Sequence, residues 1–154
     1  MKKGKKKIKT AKVKKVKRKR KEKIVFTKAK KKRAVARAVV REGKGRITIN
    51  KMNIETIQPE HLASFIKEPL QFLPQEKLGI IDIDVNVRGG GFMGQATAAR
   101  AAIAKGLVEY LGDKKLKDAY LKYDRLLLVD DVRRVEPKKP LGTKARKKKQ
   151  KSKR

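Results

Sequence analysis

Residues 81–110 read IDIDVNVRGGGFMGQATAARAAIAKGLVEY and are the most informative part of this chain. Apolar and polar residues alternate over Ile80–Val87, which predicts a strand with one face on the core and a polar face opposite. Three glycines follow, and the alanine-rich segment Gly94–Leu111 then predicts a helix whose backbone approaches the sheet closely. Gly112 stands where a helix-terminating glycine is expected.

The sequence before this unit predicts short strands joined by turns. Ile24–Phe26 and Ala34–Arg41 are predicted strands, and the basic segment 27–33 is expected to connect them. Residues 42–45 (EGKG) predict a hairpin turn, because glycine adopts positive φ without strain. Ile47–Ile49 is therefore expected to return antiparallel to the second strand.

Further helices are predicted before and after the central strand in the sequence. They are one that begins at Pro59, a short segment over Pro69–Leu73, and a last helix over Lys114–Tyr123. Leu126–Val129 is an apolar patch that is expected to dock on the core. Alternating strands require a sheet with one covered face. The order of elements predicts one α+β domain built from two layers.

Charge is distributed very unevenly along the 154 residues. The chain has 47 Lys and Arg against 15 Asp and Glu, a net charge of +32. Residues 1–33 contribute +19 and residues 133–154 contribute +11, which leaves +2 for the middle. Segments with so few apolar residues cannot fold alone, so they are expected to be disordered in the free protein. The predicted organisation is a lysine-rich N-terminal extension at 1–23, a globular domain at 24–129 and an extended basic tail at 130–154.

Tails of this charge need a polyanionic partner. Nucleic acid fits best, because each neutralised phosphate releases a condensed counterion. An anionic membrane is the main alternative, but residues 1–23 lack the aromatic or leucine-rich face of a membrane-surface helix. We expect no membrane span and no secretory signal, because the chain has no long apolar stretch. Cysteine is absent, which excludes disulfides and thiolate metal sites. The few aromatic residues are scattered, which disfavours a base-stacking platform.

The motif Gly89-x-Gly91-x-x-Gly94 follows a strand and opens a helix, as a dinucleotide fingerprint does. It leaves an NAD-dependent dehydrogenase as the enzyme alternative, which nicotinamide binding would test. Two features disfavour that alternative: the strand alternates instead of being continuously apolar, and no second strand ends in an acid about 20 residues on. An RNA phosphate at the helix N-terminus fits the loop better, although a tight turn without any ligand also explains it.

Side chains capable of chemistry do not form a catalytic set. His61 is the only histidine. Asp82 and Asp84 share a strand face with no His or Cys beside them, and that face is expected to be solvated or distant from RNA. Asp130–Asp131 are expected to be local charge partners of Arg133–Arg134. The sequence predicts a binding protein with no enzyme activity, cofactor or metal. A chromatin-like nucleic-acid condenser is the other alternative.

Four segments of the chain resemble small-subunit ribosomal protein nine, the universal S-nine family, in its archaeal form. They are KAKKKRAVARAVVREGKGRITIN at 28–50, the strand–loop–helix stretch at 81–110, LKYDRLLLVDDVRRVEPKK at 121–139 and the ending QKSKR at 150–154. The resemblance covers residues 24–154. Lys153 departs from it, because archaeal members usually have a tyrosine at that position.

The resemblance implies a mixed sheet covered on one face by helices, similar to the second domain of ribosomal S-five-type proteins, with a βαβ crossover of unusual hand. It implies a structural role in the head of the small ribosomal subunit, in the cytoplasm, bound to the 3′ major domain of the rRNA beside neighbouring head proteins and away from membranes. The tip of the tail would approach the peptidyl-site tRNA through Lys151, Ser152, Lys153 and Arg154. The residues expected to bind rRNA lie in basic loops, the glycine loop and the tail: Lys28, Lys30, Lys31, Lys32, Arg33, Arg37, Lys44, Arg46, Arg88, Gly89, Gly90, Gly91, Arg133, Arg134, Lys138, Lys139, Lys144 and Arg146.

Overall fold

A computed structural model describes residues 23–147, and in that range the chain forms a five-stranded sheet with helices packed on one face. The strands are β1 (Val25–Lys31), β2 (Ala34–Glu42), β3 (Ile47–Ile49), β4 (Met52–Asn53) and β5 (Ile81–Arg88). The helices are α1 (Glu60–Lys67), α2 (Gln75–Leu78), α3 (Phe92–Leu111) and α4 (Lys114–Tyr123). Short 3₁₀ turns cover Ile54–Thr56, Glu68–Phe72 and Arg125–Leu127. The predicted two-layer α+β fold is confirmed.

The strand order in space is β1-β2-β5-β3-β4. The first three of these strands pair antiparallel, β3 runs parallel to β5, and β4 pairs antiparallel with β3. The sheet is therefore mixed, as the family resemblance implies. The predicted central strand is confirmed: Ile81, Ile83, Val85 and Val87 are buried on one face of β5.

β3 runs antiparallel to β2 as expected, but the expected hairpin pairing between them was wrong, because β5 lies between the two strands. The long strand β5 occupies the position beside β2, with register pairs from Val35–Arg88 to Glu42–Ile81. Eight residues of β5 are in register with β2, whereas β3 has only three residues to offer. The segment after β2 instead wraps around the start of β5, where the Gly43 N–H donates to the Ile80 carbonyl at 2.8 Å. This path places β3 on the far side of β5.

The basic segment 27–33, expected to be a connection, is mostly strand. β1 continues to Lys31, and only Lys32 and Arg33 form the turn into β2. Its lysines alternate with residues that face the core, of which Ala29 is completely buried. The alternation of exposed and buried residues typical of a strand is therefore present in this segment. It was not recognised in the sequence because of the high lysine content.

The helical layer rests on α3, which packs across β1, β2 and β5. Its alanines permit the close approach predicted for them. Gly106 marks the tightest point, because a Cβ there would lie 2.6 Å from Val40 Cγ2. Thr27 Oγ1 donates to the Ala102 carbonyl at 3.0 Å, which ties β1 to the same helix. The helix begins at Phe92, two residues earlier than predicted, and ends at Gly112 with a φ of 67°.

The predicted helix over Lys114–Tyr123 is confirmed as α4, and it anchors the end of the body. Tyr120 is completely buried and donates from its hydroxyl to the Pro69 carbonyl at 2.7 Å. In the patch 126–129, Leu127 is buried and docks on the core, while Leu126 and Val129 remain more than a third exposed. Among residues 23–147, no helix is long and apolar enough to cross a bilayer.

Candidate nucleic-acid interface

The helices cover one face of the sheet and leave the other open. Alternation along the strands puts Lys28, Arg37 and Asn86 in one row across β1, β2 and β5. The next rows on this open face pair Lys30 with Val35 and Arg88, and Phe26 with Val39 and Asp84. A concavity of about 950 Å³ lies over the rows of Lys28 and Phe26 and reaches Arg46 and Lys51 at the β3 end of the sheet.

The two aspartates of the open face, Asp82 and Asp84, accept hydrogen bonds that stabilise the fold. Asp82 accepts hydrogen bonds from the backbone N–H groups of Lys44, at 2.8 Å, and Arg46, at 2.9 Å. Those bonds, with the one from Arg46 contributing most, hold the pKa of the Asp82 carboxyl below its usual value. Asp84 accepts from Arg41 at 2.8 Å and from the Thr48 hydroxyl. Sequence patterning could not indicate these partners, because they come from a loop and a strand that only the tertiary fold brings together.

The remaining cations on this face have no carboxylate partner within residues 23–147. Side chains that make no ion pair with any residue in the described range are those of Lys28, Lys30, Arg37, Arg46, Lys51 and Arg88. All but Lys51 were expected to bind rRNA. These cations share their face with Asp82 and Asp84. The face of the two aspartates was expected to be solvated or distant from RNA, and this conflicts with the expectation that the cations bind rRNA. Lys51, which lies in the β3–β4 turn with a φ of 69°, was not among the residues expected to bind rRNA.

The glycine loop after β5 is explained first by packing. Gly89 and Gly90 have φ values of 75° and 70°, which other residues adopt with strain. A Cβ on Gly89 would lie 2.7 Å from the Arg33 carbonyl oxygen, and one on Gly90 would lie 3.0 Å from Ala34 Cβ. Gly91 has open space around it and directly precedes α3. The loop is therefore pressed against the basic β1–β2 turn.

That contact places cations beside the N-terminus of α3. Lys31, Lys32 and Arg33 line a cavity of about 510 Å³ together with Gly90 and Gly91. The first turn of α3 contains no acidic residue and has no side-chain cap. Unpaired backbone N–H groups at a helix start favour anions. The arrangement suits a phosphate, but the geometry does not match a dinucleotide fold, because β5 pairs antiparallel with β2 and has helices on one face.

The root of the C-terminal tail is fixed to the same turn by Asp131. This residue is 7% exposed and forms ion pairs with Lys31 and Arg133. The hydrogen bonds from Arg133 and then Lys31 hold the pKa of its carboxyl far below the usual value. Arg134 donates to the Lys32 carbonyl. The predicted local pairing is thus confirmed for Asp131 and Arg133, whereas Asp130 pairs with Lys105 at 2.5 Å.

The more distal basic residues lie on the surface. Lys138, Lys139 and Lys144 are exposed, and Arg146 forms a bidentate pair with Glu136 at distances of 2.6–3.2 Å. Such an exposed pair contributes little to stability. The four residues expected near tRNA, 151–154, lie outside the described residues.

His61 lies exposed on α1, and within residues 23–147 no three metal-ligating side chains form a group. The fold and this surface define the class of a basic α+β protein whose open sheet face, glycine loop and tail root carry exposed cations. A family model described as Ribosomal protein S9/S16 matches residues 29–154. A protein of the archaeon Halobacterium salinarum named small ribosomal subunit protein uS9 is 50% identical over 129 residues, which cover 84% of this chain and 98% of that protein.

The chain therefore belongs to the ribosomal protein S9/S16 family and is of the archaeal type. This membership makes it a structural protein of the small ribosomal subunit in the cytoplasm, and not an enzyme. Membership of this family also argues against the two alternative functions left open by the sequence, an NAD-dependent dehydrogenase and a nucleic-acid condenser free of the ribosome.

Proposed function

We propose that the protein binds the 3′ major domain of the small-subunit rRNA, in the head of the subunit, beside other head proteins. The observation that carries this proposal is the set of unpaired cations on the open sheet face. The globular domain at 24–129 carries 20 Lys and Arg against 11 Asp and Glu, and the side chains of Lys28, Arg37 and Arg88 have no carboxylate partner in the described range. Phosphates supply the missing negative charge and release counterions when they bind.

Three segments divide the work in this proposal. The globular domain at 24–129 binds rRNA with its sheet face, the β1–β2 turn and the glycine loop. The lysine-rich extension at 1–23 and the tail at 130–154 enter packed RNA and reduce phosphate repulsion there. Asp131 fixes where the tail leaves the body, since it holds Arg133 against the β1–β2 turn.

The tail is long enough to reach a distant site. From Arg133 to Arg154 it has 22 residues, which span roughly 70 Å when extended. We infer that its last four residues, 151–154, lie near the peptidyl-site tRNA during translation. Lys153 and Arg154 would then form charge-assisted hydrogen bonds with a tRNA phosphate.

Salt dependence of rRNA binding tests the role of the tails. Deleting residues 1–22 and 137–154 removes 24 Lys and Arg residues and leaves every strand and helix of the described body in place. The slope of log affinity against log salt should flatten by several units, because each phosphate contact contributes about 0.7–0.9. Circular dichroism would verify that the shortened protein remains folded. A slope equal to that of the full chain would contradict the proposal.

The role of the tip needs a separate test. Subunits reconstituted with a protein lacking Lys153 and Arg154 should assemble normally but bind peptidyl-site tRNA more weakly. The matched control is Lys148→Ala with Lys149→Ala, which removes the same charge just upstream. Failure of assembly would assign the tip to rRNA packing, and equal weakening by the control would show that only the amount of charge matters.

A further inference from the structure

Phe26 is a large apolar side chain that the fold leaves in solvent. Its residue is 74% exposed, although it lies within β1 between a buried Val25 and a half-buried Thr27. Alternation along the strand puts its ring on the open face of the sheet, in register with Val39 of β2. Nothing in the core requires a phenylalanine there, since the helices pack on the opposite face.

The surroundings of this ring are cationic and polar. Lys28 lies two residues along β1, which corresponds to about 7 Å, and Arg37 lies opposite Lys28 on β2. Asn86 continues that row on β5 and makes no side-chain hydrogen bond with any residue from 23 to 147. The three side chains line the same concavity as Phe26. An aromatic ring, two cations and a free amide thus share one shallow surface.

The negative charges near this surface are already engaged. Asp84, the carboxylate in the row of Phe26, is bound by Arg41 and by the Thr48 hydroxyl. Lys28 and Arg37 consequently face an incoming ligand with their full charge. The surface is complementary to a ligand that carries a flat apolar ring and a negative group.

We propose that the open sheet face binds an unpaired nucleotide of RNA, whose base stacks on Phe26 and whose phosphates contact Lys28 and Arg37. Sheet-based readers of single-stranded RNA combine an exposed aromatic with neighbouring cations in this way. Asn86 can donate to and accept from the edge of the stacked base. The inference rests on the proposed RNA-binding function and adds to it the kind of RNA that this face binds. It departs from the expectation that the scattered aromatics disfavour a base-stacking platform, because one exposed ring suffices for one base.

The test is NMR spectroscopy of the full-length protein labelled with ¹³C on its phenylalanine rings. A short single-stranded oligoadenylate should shift the ring signals of Phe26 upfield and leave unchanged those of Phe72, which packs against Tyr120 and Tyr123 beside α4. At about 0.3 M salt, where attraction to the tails is weakened, Phe26→Ala should lower affinity for the single strand about 5- to 150-fold. Phe26→Tyr should retain binding, and Leu121→Ala, at an exposed position of α4, should behave as the unmodified protein does.

Two further ligands separate this inference from the function on which it rests. A duplex RNA of the same length should bind Phe26→Ala and the unmodified protein with affinities within about twofold, because it offers no free base. Binding of the oligoadenylate without any change at Phe26 would overturn the inference and leave rRNA binding intact. A larger shift of Phe26 with a short polyglutamate would also overturn it, in favour of an acidic protein segment. No binding of either RNA would refute the proposed function itself.

Discussion

Removing two unpaired cations from the open sheet face should change how RNA binding depends on salt. The double substitution Lys28→Ala with Arg37→Ala takes away two neighbouring charges that lie opposite each other on β1 and β2. If each contacts one phosphate, the slope of log affinity against log salt should fall in magnitude by about 1.4–1.8. Between about 50 and 200 mM salt, the gap in affinity between the two proteins should then narrow by roughly 7- to 12-fold.

Fluorescence anisotropy with a labelled fragment of the 3′ major domain would measure these slopes. The matched control is Lys114→Ala with Lys122→Ala, which removes the same charge from exposed positions on α4. Thermal midpoints should stay close to that of the unmodified protein, because both target side chains are exposed. An unchanged slope would refute phosphate binding by the sheet face. An equal change in the control would show that the amount of charge matters and not its position.

Three further substitutions test the fold that presents this surface. Arg100→Ala leaves its partners Glu68 and Asp124 as half-buried carboxylates without a cation. Calorimetry should therefore record a loss of about 3 kcal/mol in unfolding free energy. A loss below about 1 kcal/mol would contradict this role of Arg100. Gly89→Ala should cost about 2 kcal/mol or more in urea denaturation, from its positive φ and the contact with the Arg33 carbonyl, and a neutral effect would be inconsistent with the loop geometry. The pKa of Asp131 is lower in the folded than in the unfolded chain, so its contribution is present above about pH 4 and lost as pH falls further. Urea denaturation from neutral pH to pH 2 should therefore show a shallower acid-induced decline for Asp131→Asn, and curves of the same shape would argue against the ion pairs.

The elements that the sequence predicted well are those whose signal is local. The period of two in Ile80–Val87 required one buried face, and the fold has it as β5. The helix over Lys114–Tyr123 matched α4 because its apolar stripe lies within its own residues and its N-cap, Asp113, directly precedes them. Gly112 ended α3 as expected, since a left-handed residue at that position favours glycine.

The errors came from pairing between distant segments. No local pattern states that β3 joins β5 and not β2, because that choice depends on how much apolar surface each pairing buries. β1 was shortened because Lys28 and Lys30 resemble a basic loop, although they lie on the open face of a strand.

The candidate site was predicted in part for the same reason. The family resemblance indicated most of the cations on the open sheet face and beside the glycine loop. The sequence could not show that Asp82 and Asp84 accept hydrogen bonds from within the fold, or that Lys51 lines the concavity. The exposure of Phe26 likewise depends on which sheet face the helices cover, and this is a tertiary property.

A cryo-electron microscopy map of the small subunit that contains this protein would test the central claim most directly. The account predicts rRNA phosphates in hydrogen-bond contact with Lys28 and Arg37, and residues 151–154 beside the peptidyl-site tRNA. A sheet face that is covered by another protein or left in solvent, with the tail directed away from the tRNA, would contradict it.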